Sequence, residues 1–175
     1  MTTLSYLPNL RDHLLTGFEG INVDTSTVEP YKFRIWNTLI DGEPRKRATI
    51  FFRNNGCAWK KVSGGCTMCN LNSSYSGIVS LEDYISQIEY SRQKIERYIF
   101  EQNLFFPDQP EQRLKQVNAY VDGSFFNQEE FPEEARQEVY QMVSSFPEIS
   151  VLYLESRPEY ITQHVLEEAI QETPG

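Results

Sequence analysis

The stretch "ATIFFRNNGCAWKKVSGGCTMC", from Ala48 to Cys69, joins an apolar run to a glycine-rich loop that contains every cysteine of the chain. The run is rich in β-branched and aromatic residues and is followed by turn-forming residues, which predicts a β-strand. The cysteine loop, from Asn54 to Gly77, follows this strand directly. In α/β proteins the loops after the carboxyl ends of strands carry functional groups, so the stretch predicts a sheet with a site at its edge.

The strand before the cysteine loop has a predicted partner on its N-terminal side. The segments "YKFRIWNTLI" and "RKRATIFFR" both have strand composition, and "DGEP" between them contains the turn-forming pair Asp41-Gly42. We therefore predict two strands that form a hairpin. Residues 1–30 are predicted to be an N-terminal extension with a short amphipathic helix around Leu4 to Phe18.

Beyond the cysteine loop the chain alternates between helix and strand. Ser80 and Asp83 predict the capped start of a long helix, "LEDYISQIEYSRQKIERYIFEQ". Apolar residues at helical spacing predict one buried stripe on this helix: Leu81, Tyr84, Ile85, Ile88, Ile95, Tyr98 and Ile99. A strand candidate, "QVNAYVDGSFF", ends at Gly123, and a second helix opened by Pro132 follows it.

The last strand and helix complete the pattern. The strand "ISVLYLES" is almost continuously apolar, as a strand covered on both faces would be, and "RPEYITQHVLEEAIQE" is predicted to be a third helix. The order predicts an α/β fold with a parallel sheet and about three strand-helix units. Three such units make at most half of a (β/α) barrel, so we expect residues 31–175 to be part of a larger fold.

The composition excludes some classes of protein. Hydrophobic residues make up 39% of the chain, which argues against disorder. Sixteen basic and twenty-five acidic residues give a net charge of -9, which argues against electrostatic binding of a nucleic-acid phosphate backbone over a broad surface. The first residues lack the pattern of a signal peptide, and no apolar run reaches the roughly 18 residues of a membrane span. We expect a soluble, cytoplasmic protein with no membrane partner.

The three cysteines have the spacing C-x8-C-x2-C. An odd number without an export signal disfavours disulfides, and three thiolates cannot complete a four-thiolate metal shell. One alternative is a zinc-stabilised binding module without catalysis, with His13 or His164 as the fourth ligand, although neither histidine has the usual short ligand spacing. Unrelated free thiols are another. The third is a four-iron cluster with one iron open to an external ligand.

The segment "GCAWKKVSGGCTMC", directly after the strand "ATIFFR", resembles the cluster loop of radical S-adenosylmethionine (radical SAM) enzymes, in the branch of the elongator catalytic subunit and the archaeosine synthase radical SAM subunit. The resemblance implies that Cys57, Cys66 and Cys69 bind a [4Fe-4S] cluster whose open iron binds SAM. Gly56, Gly64 and Gly65 would let the loop adopt positive φ angles. Lys60 and Lys61 would offset the charge of the cluster.

Two further segments resemble this branch, and the likeness extends from Thr49 to Glu168. "YVDGSFFNQEEFP" is similar to its "GSF" segment, which implies that Asp122, Gly123 and Ser124 contact SAM. "LESRPEYIT" is similar to its Glu-Ser-Arg-Pro-Glu segment, which implies the same for Glu155 and Arg157, since a carboxylate and a guanidinium can pair with a zwitterion. Taken alone, the first segment also fits an ordinary turn, and the second fits a solvated ion pair or a helix start shaped by Pro158.

The resemblance implies a fold and a reaction. Residues 31–175 would be the N-terminal part of a radical SAM (β/α) barrel domain, truncated after its third unit. The reduced cluster would split SAM to a 5'-deoxyadenosyl radical that takes a hydrogen from a small molecule or a modified tRNA base. Ferredoxin or flavodoxin would supply the electron, and no general base is indicated. A catalytically inactive remnant that keeps the motifs is the alternative within this family.

Overall fold

A computed structural model of the chain describes residues 27–66 and 78–173. The predicted helix around residues 4–18 and the third cysteine, Cys69, lie outside the described residues. So does most of the predicted N-terminal extension. Within the described ranges, no helix is both long enough and apolar enough to span a bilayer.

The predicted hairpin is confirmed. Strand β1 (Lys32–Ile40) pairs antiparallel with β2 (Glu43–Phe51) along its whole length, from Lys32 opposite Phe51 to Ile40 opposite Glu43. Asp41 and Gly42 have φ values of 52° and 80° in the connection. Positive φ at both central residues is the geometry that two-residue hairpins need, and Asp-Gly tolerates it best.

In the part of the chain that the structure describes, the sheet has four strands in the order β1-β2-β3-β4. Strand β3 (Leu114–Tyr120) runs parallel to β2, and β4 (Val151–Leu154) runs parallel to β3. The α/β class is therefore confirmed, but the sheet is mixed because the hairpin strand β1 is antiparallel. The described strands do not close into a barrel.

Within residues 27–66 and 78–173, four α-helices accompany the strands. Helix α1 (Ala58–Ser63) lies in the cysteine loop and was not predicted. Helices α2 (Leu81–Phe105), α3 (Glu133–Ser144) and α4 (Gln163–Glu172) follow β2, β3 and β4 in turn, as the sequence predicts. Ser80 and Asp83 form the predicted capping box at the start of α2.

Three predicted boundaries or environments are wrong. Strand β3 ends at Tyr120, three residues before Gly123, because the chain turns there into a glycine with φ of 125°. Helix α4 begins only at Gln163, since Pro158 to Tyr160 form a separate 3-10 turn. Strand β4 is not covered on both faces: it is a four-residue edge strand of the described sheet with Tyr153 exposed.

The buried stripe of α2 differs from the predicted one. Tyr84, Ile88 and Ile95 are buried, whereas Leu81 and Ile85 are exposed. Polar residues continue the stripe instead, because each forms hydrogen bonds in the interior. Gln87 accepts a bond from the backbone N-H of Arg53 (2.7 Å) and donates to its carbonyl (3.2 Å).

The two faces of the sheet carry different side chains. Side chains alternate along a strand, so Ala48 and Ile50 of β2 and Val117 and Ala119 of β3 point into the core formed with α2 and α3. The opposite side, which we call the polar face, carries the intervening residues of the same strands: Arg47, Thr49 and Phe51 of β2, and Gln116, Asn118 and Tyr120 of β3.

Candidate functional site

Three loops leave the same edge of the sheet, because β2, β3 and β4 are parallel and their carboxyl ends lie together. The first is the cysteine loop after β2. The second contains Asp122, Gly123 and Ser124 after β3, and the third contains Glu155 and Arg157 after β4. The fold thus brings the predicted site residues that the structure describes to one edge.

The described part of the cysteine loop is shaped by glycine. Gly56, Gly64 and Gly65 have φ values of 79°, 79° and 89°, which confirms the predicted positive angles. Cys57 is the N-cap of α1, and Gly64 ends that helix in a left-handed conformation. Cys57 is half-buried and Cys66 is exposed, and both are free thiols.

Two asparagines hold the cysteine loop in place. Asn55 closes it: its side chain accepts a hydrogen bond from the Val79 N-H (2.7 Å) and donates one to the Val79 carbonyl (3.2 Å). Asn54 is buried and donates to the carbonyls of Asp122 (3.0 Å) and Glu130 (3.1 Å). The loop is therefore joined at its base to the loop after β3.

A buried carboxylate links all three loops. Glu130 is fully buried. Its Oε1 accepts from the Ala58 N-H in the cysteine loop (2.6 Å) and from Arg157 Nη2 (3.0 Å), while Oε2 accepts from the Ser124 N-H (2.5 Å). Three donors from three strand ends thus share one carboxylate, as a buried charge requires. This arrangement requires glycine at position 123, because a Cβ there would overlap the Glu130 carboxylate.

Ser124 and Arg157 are bonded to each other. The buried Ser124 hydroxyl accepts from the Arg157 backbone N-H (3.1 Å) and from Arg157 Nε (2.9 Å). The Arg157 guanidinium also lies over the ring of Tyr160, 4.9 Å from its centroid. These contacts hold the guanidinium against the edge of the sheet, at the junction of the second and third loops.

Asp122 and Glu155 are the acidic residues of the predicted SAM-contact set. Burial raises the pKa of Asp122 to about 6, and the nearby charge of Lys60 opposes that shift. Glu155 is exposed, and its backbone carbonyl accepts from the Phe125 N-H (3.0 Å). Its side chain lies at a cavity on the polar face.

The described residues contain no group of three histidine, cysteine or acidic side chains placed to hold a metal ion. Cys69 lies outside those residues, so the three-cysteine set stays a prediction. His13, one of the two alternative zinc ligands, also lies outside the described residues. His164 is exposed on α4.

Comparison with known proteins gives a relationship for the chain. The chain is similar to archaeosine synthase subunit beta. It is 32% identical to that protein of Methanosarcina acetivorans over 138 residues, 78% of this chain and 36% of the relative. It is also 32% identical over 124 residues to an uncharacterized protein of Methanocaldococcus jannaschii, 70% of this chain and 31% of the relative. The chain therefore spans about a third of the length of these curated relatives.

Other comparisons add nothing to this relationship. No protein-family model matches the chain, and no solved structure matches it. The similarity supports the predicted relation to the archaeosine synthase branch.

Sequence reasoning missed the residues that assemble the site. Glu130 stands beside Glu129 in "NQEEFP", and Glu129 is exposed whereas Glu130 is buried. Nothing in the local sequence distinguishes the two. Asn54 and Asn55 precede Gly56 and are typical of a turn. Gln87 interrupts an apolar stripe of α2. Gln87, a polar residue inside a helical apolar pattern, is the one of them with a local sequence signal.

Proposed function

We propose that this chain is the N-terminal part of a radical SAM enzyme of tRNA modification, in which Cys57, Cys66 and Cys69 hold a [4Fe-4S] cluster. The convergence of the three strand-end loops on Glu130 carries the proposal. It brings the cysteine loop beside the two segments that resemble SAM-contacting segments. The similarity to archaeosine synthase subunit beta supports it independently.

The described part of the cysteine loop fits a cluster in its chemistry. Thiolates are the ligands that iron-sulfur clusters take, and Cys57 and Cys66 are both accessible at least in part. The loop also contains Lys60 and Lys61, whose charges would offset that of the cluster. When bound, a reduced cluster of this kind supplies the single electron that cleaves SAM.

The second and third loops would bind the methionine part of SAM. Backbone groups of Asp122, Gly123 and Ser124 would contact its ammonium, and the exposed Glu155 would add a carboxylate there. Arg157 remains a candidate for the SAM carboxylate. Its bonds to Ser124 and Glu130 also give it a positioning role, because they fix the two loops against each other.

The fold that we propose is the first part of a (β/α) barrel. Units β2-α2, β3-α3 and β4-α4 would be its first three strand-helix units, with β1 as an added antiparallel strand. Further chain or a partner would supply the remaining units. The substrate would be a modified tRNA base, as the name of the relative suggests, and a ferredoxin or flavodoxin would donate the electron.

The test is anaerobic reconstitution with iron and sulfide. We expect about four irons per chain, a brown absorption band and, after reduction with dithionite, an electron paramagnetic resonance signal that shifts when SAM is added. A chain with all three cysteines changed to alanine should lose the iron. Ser63→Ala, in the same loop, should keep it.

Three results separate the alternatives. Iron loading that survives removal of the three cysteines would overturn the proposal. One zinc per chain with no capacity for iron would favour a zinc-stabilised binding module instead. Cluster binding without SAM cleavage under a strong reductant would indicate an inactive remnant.

A further inference from the structure

The net charge of -9 is unevenly distributed along the chain. The β1-β2 hairpin, residues 32–47, contains five basic and two acidic residues, whereas the rest of the chain contains eleven basic and twenty-three acidic residues. Both acidic residues of the hairpin, Asp41 and Glu43, lie at its turn end. The strands of the hairpin are therefore a positively charged element of an acidic molecule.

Three of these basic side chains share one face of the hairpin with a tryptophan. Directly opposite residues of an antiparallel pair point to the same side, and side chains alternate along each strand. Four cross-strand pairs therefore lie on the polar face of the sheet: Lys32-Phe51, Arg34-Thr49, Trp36-Arg47 and Thr38-Arg45. We call the side chains of Lys32, Arg34, Trp36 and Arg45 the basic strip.

The cations of the basic strip have no acidic partner within the described chain. The ion pairs formed there lie outside the hairpin and involve other arginines: Arg92, Arg97, Arg136 and Arg157. Arg45 donates to the carbonyl of Pro44 (2.7 Å), which is a neutral group. Lys32 and Arg34 are exposed. The strip thus presents positive charge that an anionic partner would compensate.

Trp36 adds a flat apolar surface between these charges. Its side chain is 44% exposed although it is large and apolar. The Arg34 guanidinium lies over its ring, 5.7 Å from the centroid, and this cation-π contact keeps a positive charge beside the ring. Cations alternating with an exposed ring are typical of surfaces that bind single-stranded nucleic acid, because phosphates pair with the cations and bases stack on the ring.

The basic strip leads to the edge of the sheet that holds the three strand-end loops. Lys32 is opposite Phe51, the last residue of β2, and the cysteine loop follows directly. At the other end, Arg45 is opposite Thr38, near the hairpin turn. At the usual rise of a strand, the distance from Lys32 to Thr38 is about 20 Å. A strand of nucleic acid bound along the strip would therefore reach the strand ends.

We propose that the basic strip binds an unpaired segment of RNA. Lys32, Arg34 and Arg45 would contact its phosphates, and Trp36 would stack on one base. The choice of RNA rests on the proposed function, which has a tRNA base as the substrate. The strip adds the surface that would hold this RNA, and it lies outside the cysteine loop. Binding can therefore be measured on chain that holds no iron.

The test is fluorescence anisotropy of a labelled single-stranded RNA of about twelve nucleotides, titrated with the 175-residue chain at several salt concentrations. We expect the logarithm of the binding constant to fall with the logarithm of the salt concentration, with a slope of about -2 for three phosphate contacts. The same RNA annealed to its complement should bind at least about tenfold more weakly, because its bases are not free to stack.

Single variants separate charge from stacking. Lys32→Gln and Arg45→Gln should each reduce the magnitude of the salt slope by about 0.7, because each removes one phosphate contact. Trp36→Ala should weaken binding by about tenfold and leave the slope unchanged, since stacking releases no counterions. Trp36→Phe keeps an aromatic ring and should restore most of the lost affinity.

Lys94→Gln and Phe100→Ala are the matched controls, because both side chains are exposed on α2, outside the hairpin. Both should leave the affinity and the slope unchanged, and circular dichroism establishes that each variant is folded. The inference is overturned if the wild type does not bind the single strand, if the duplex binds as tightly, or if the controls weaken binding as much as the strip variants.

Cluster reconstitution is a separate measurement on the same chain. A normal cluster without RNA binding would refute the role of the basic strip and leave the proposed function standing. RNA binding in a chain that takes up no iron would do the reverse.

Discussion

The Glu130 carboxylate is the residue on which the site geometry depends. It accepts from donors in all three strand-end loops, and two of those donors are backbone N-H groups that cannot turn away. A glutamine at this position has one acceptor oxygen and an NH₂ group. At least one of the three donors would therefore face another donor.

For Glu130→Gln we expect a loss of about 3 kcal/mol in the free energy of unfolding, since a buried carboxylate is removed and at least one of its three donors loses its acceptor. Urea titration measures this loss. Glu159→Gln is the matched control, because Glu159 also contacts Arg157, at 3.5 Å, but is largely exposed. It should cost less than about 0.5 kcal/mol. Equal effects of the two variants would contradict the role given to Glu130.

Asp122 makes stability depend on pH in the opposite sense to an ordinary surface carboxylate. Its pKa in the folded chain is about 6, above the usual value of 3.8, so the folded state favours the protonated form. The stability that this group contributes is complete below pH about 4 and is lost as the pH rises through about 6.

We expect the unfolding free energy of the wild type, relative to Asp122→Asn, to fall by about 2 kcal/mol between pH 4 and pH 8. The difference between the two proteins removes the contribution of other groups, such as Asp83, whose pKa is lowered by its hydrogen bonds to Thr27 and Ser80. Urea titrations at several pH values measure it. A difference that does not change with pH would mean that Asp122 is not perturbed.

At the scale of elements, the ends of the cysteine loop are held together by one side chain. Asn55 exchanges two hydrogen bonds with the backbone of Val79, at the far end of the loop and directly before α2. In Asn55→Ala we expect the Val79 N-H to exchange with solvent hydrogen about tenfold faster. Asn55→Asp keeps only the acceptor, so its Val79 N-H should exchange at a rate between those of the wild type and Asn55→Ala. Hydrogen exchange measured by NMR tests this, with Val117 in β3 as the unchanged reference.

The elements themselves could be predicted because their signals are local. The Asp41-Gly42 turn, the Ser80 and Asp83 cap and the helical spacing of apolar residues each act within a few residues. The prediction that β4 is covered on both faces was wrong, because an apolar run of this length looks the same in a central strand and in an edge strand. Burial is a property of the assembled sheet.

The site could be predicted only in part for the same reason. The cysteine loop and the two other strand ends are visible as segments, and parallel strands bring them to one edge. The link between them is Glu130, and its partners are 6, 27 and 72 residues away in the chain. Contacts over such separations leave no pattern in a single sequence.

At the scale of the whole molecule, the last helix is attached through a buried ion pair. Arg136 of α3 bonds Glu168 of α4 through both guanidinium Nε and Nη2, at 3.2 Å each, and both side chains are buried. Val165 is the one buried residue of α4, so apolar packing holds this helix only weakly. We therefore expect this pair to decide whether α4 unfolds together with the rest of the molecule.

For Glu168→Gln we expect a loss of about 3 kcal/mol and, in a thermal scan, a separate early loss of helix signal as α4 detaches. The neighbouring Glu167→Gln should be close to neutral, because Glu167 is exposed and bonds only Gln163 within the described chain. Circular dichroism of both variants measures the difference. One unchanged, cooperative transition for E168Q would contradict this account.

The closure of the cysteine loop by Asn55 and Val79 also bears on how such loops change in evolution and in engineering. Because the two ends meet through a side chain and a backbone group, the segment between them can lengthen or shorten at small entropic cost without moving β2 or α2. We expect that cysteine loops of other lengths can be grafted between Ala58 and Val79, because Asn55 and the Ala58 N-H would keep their partners.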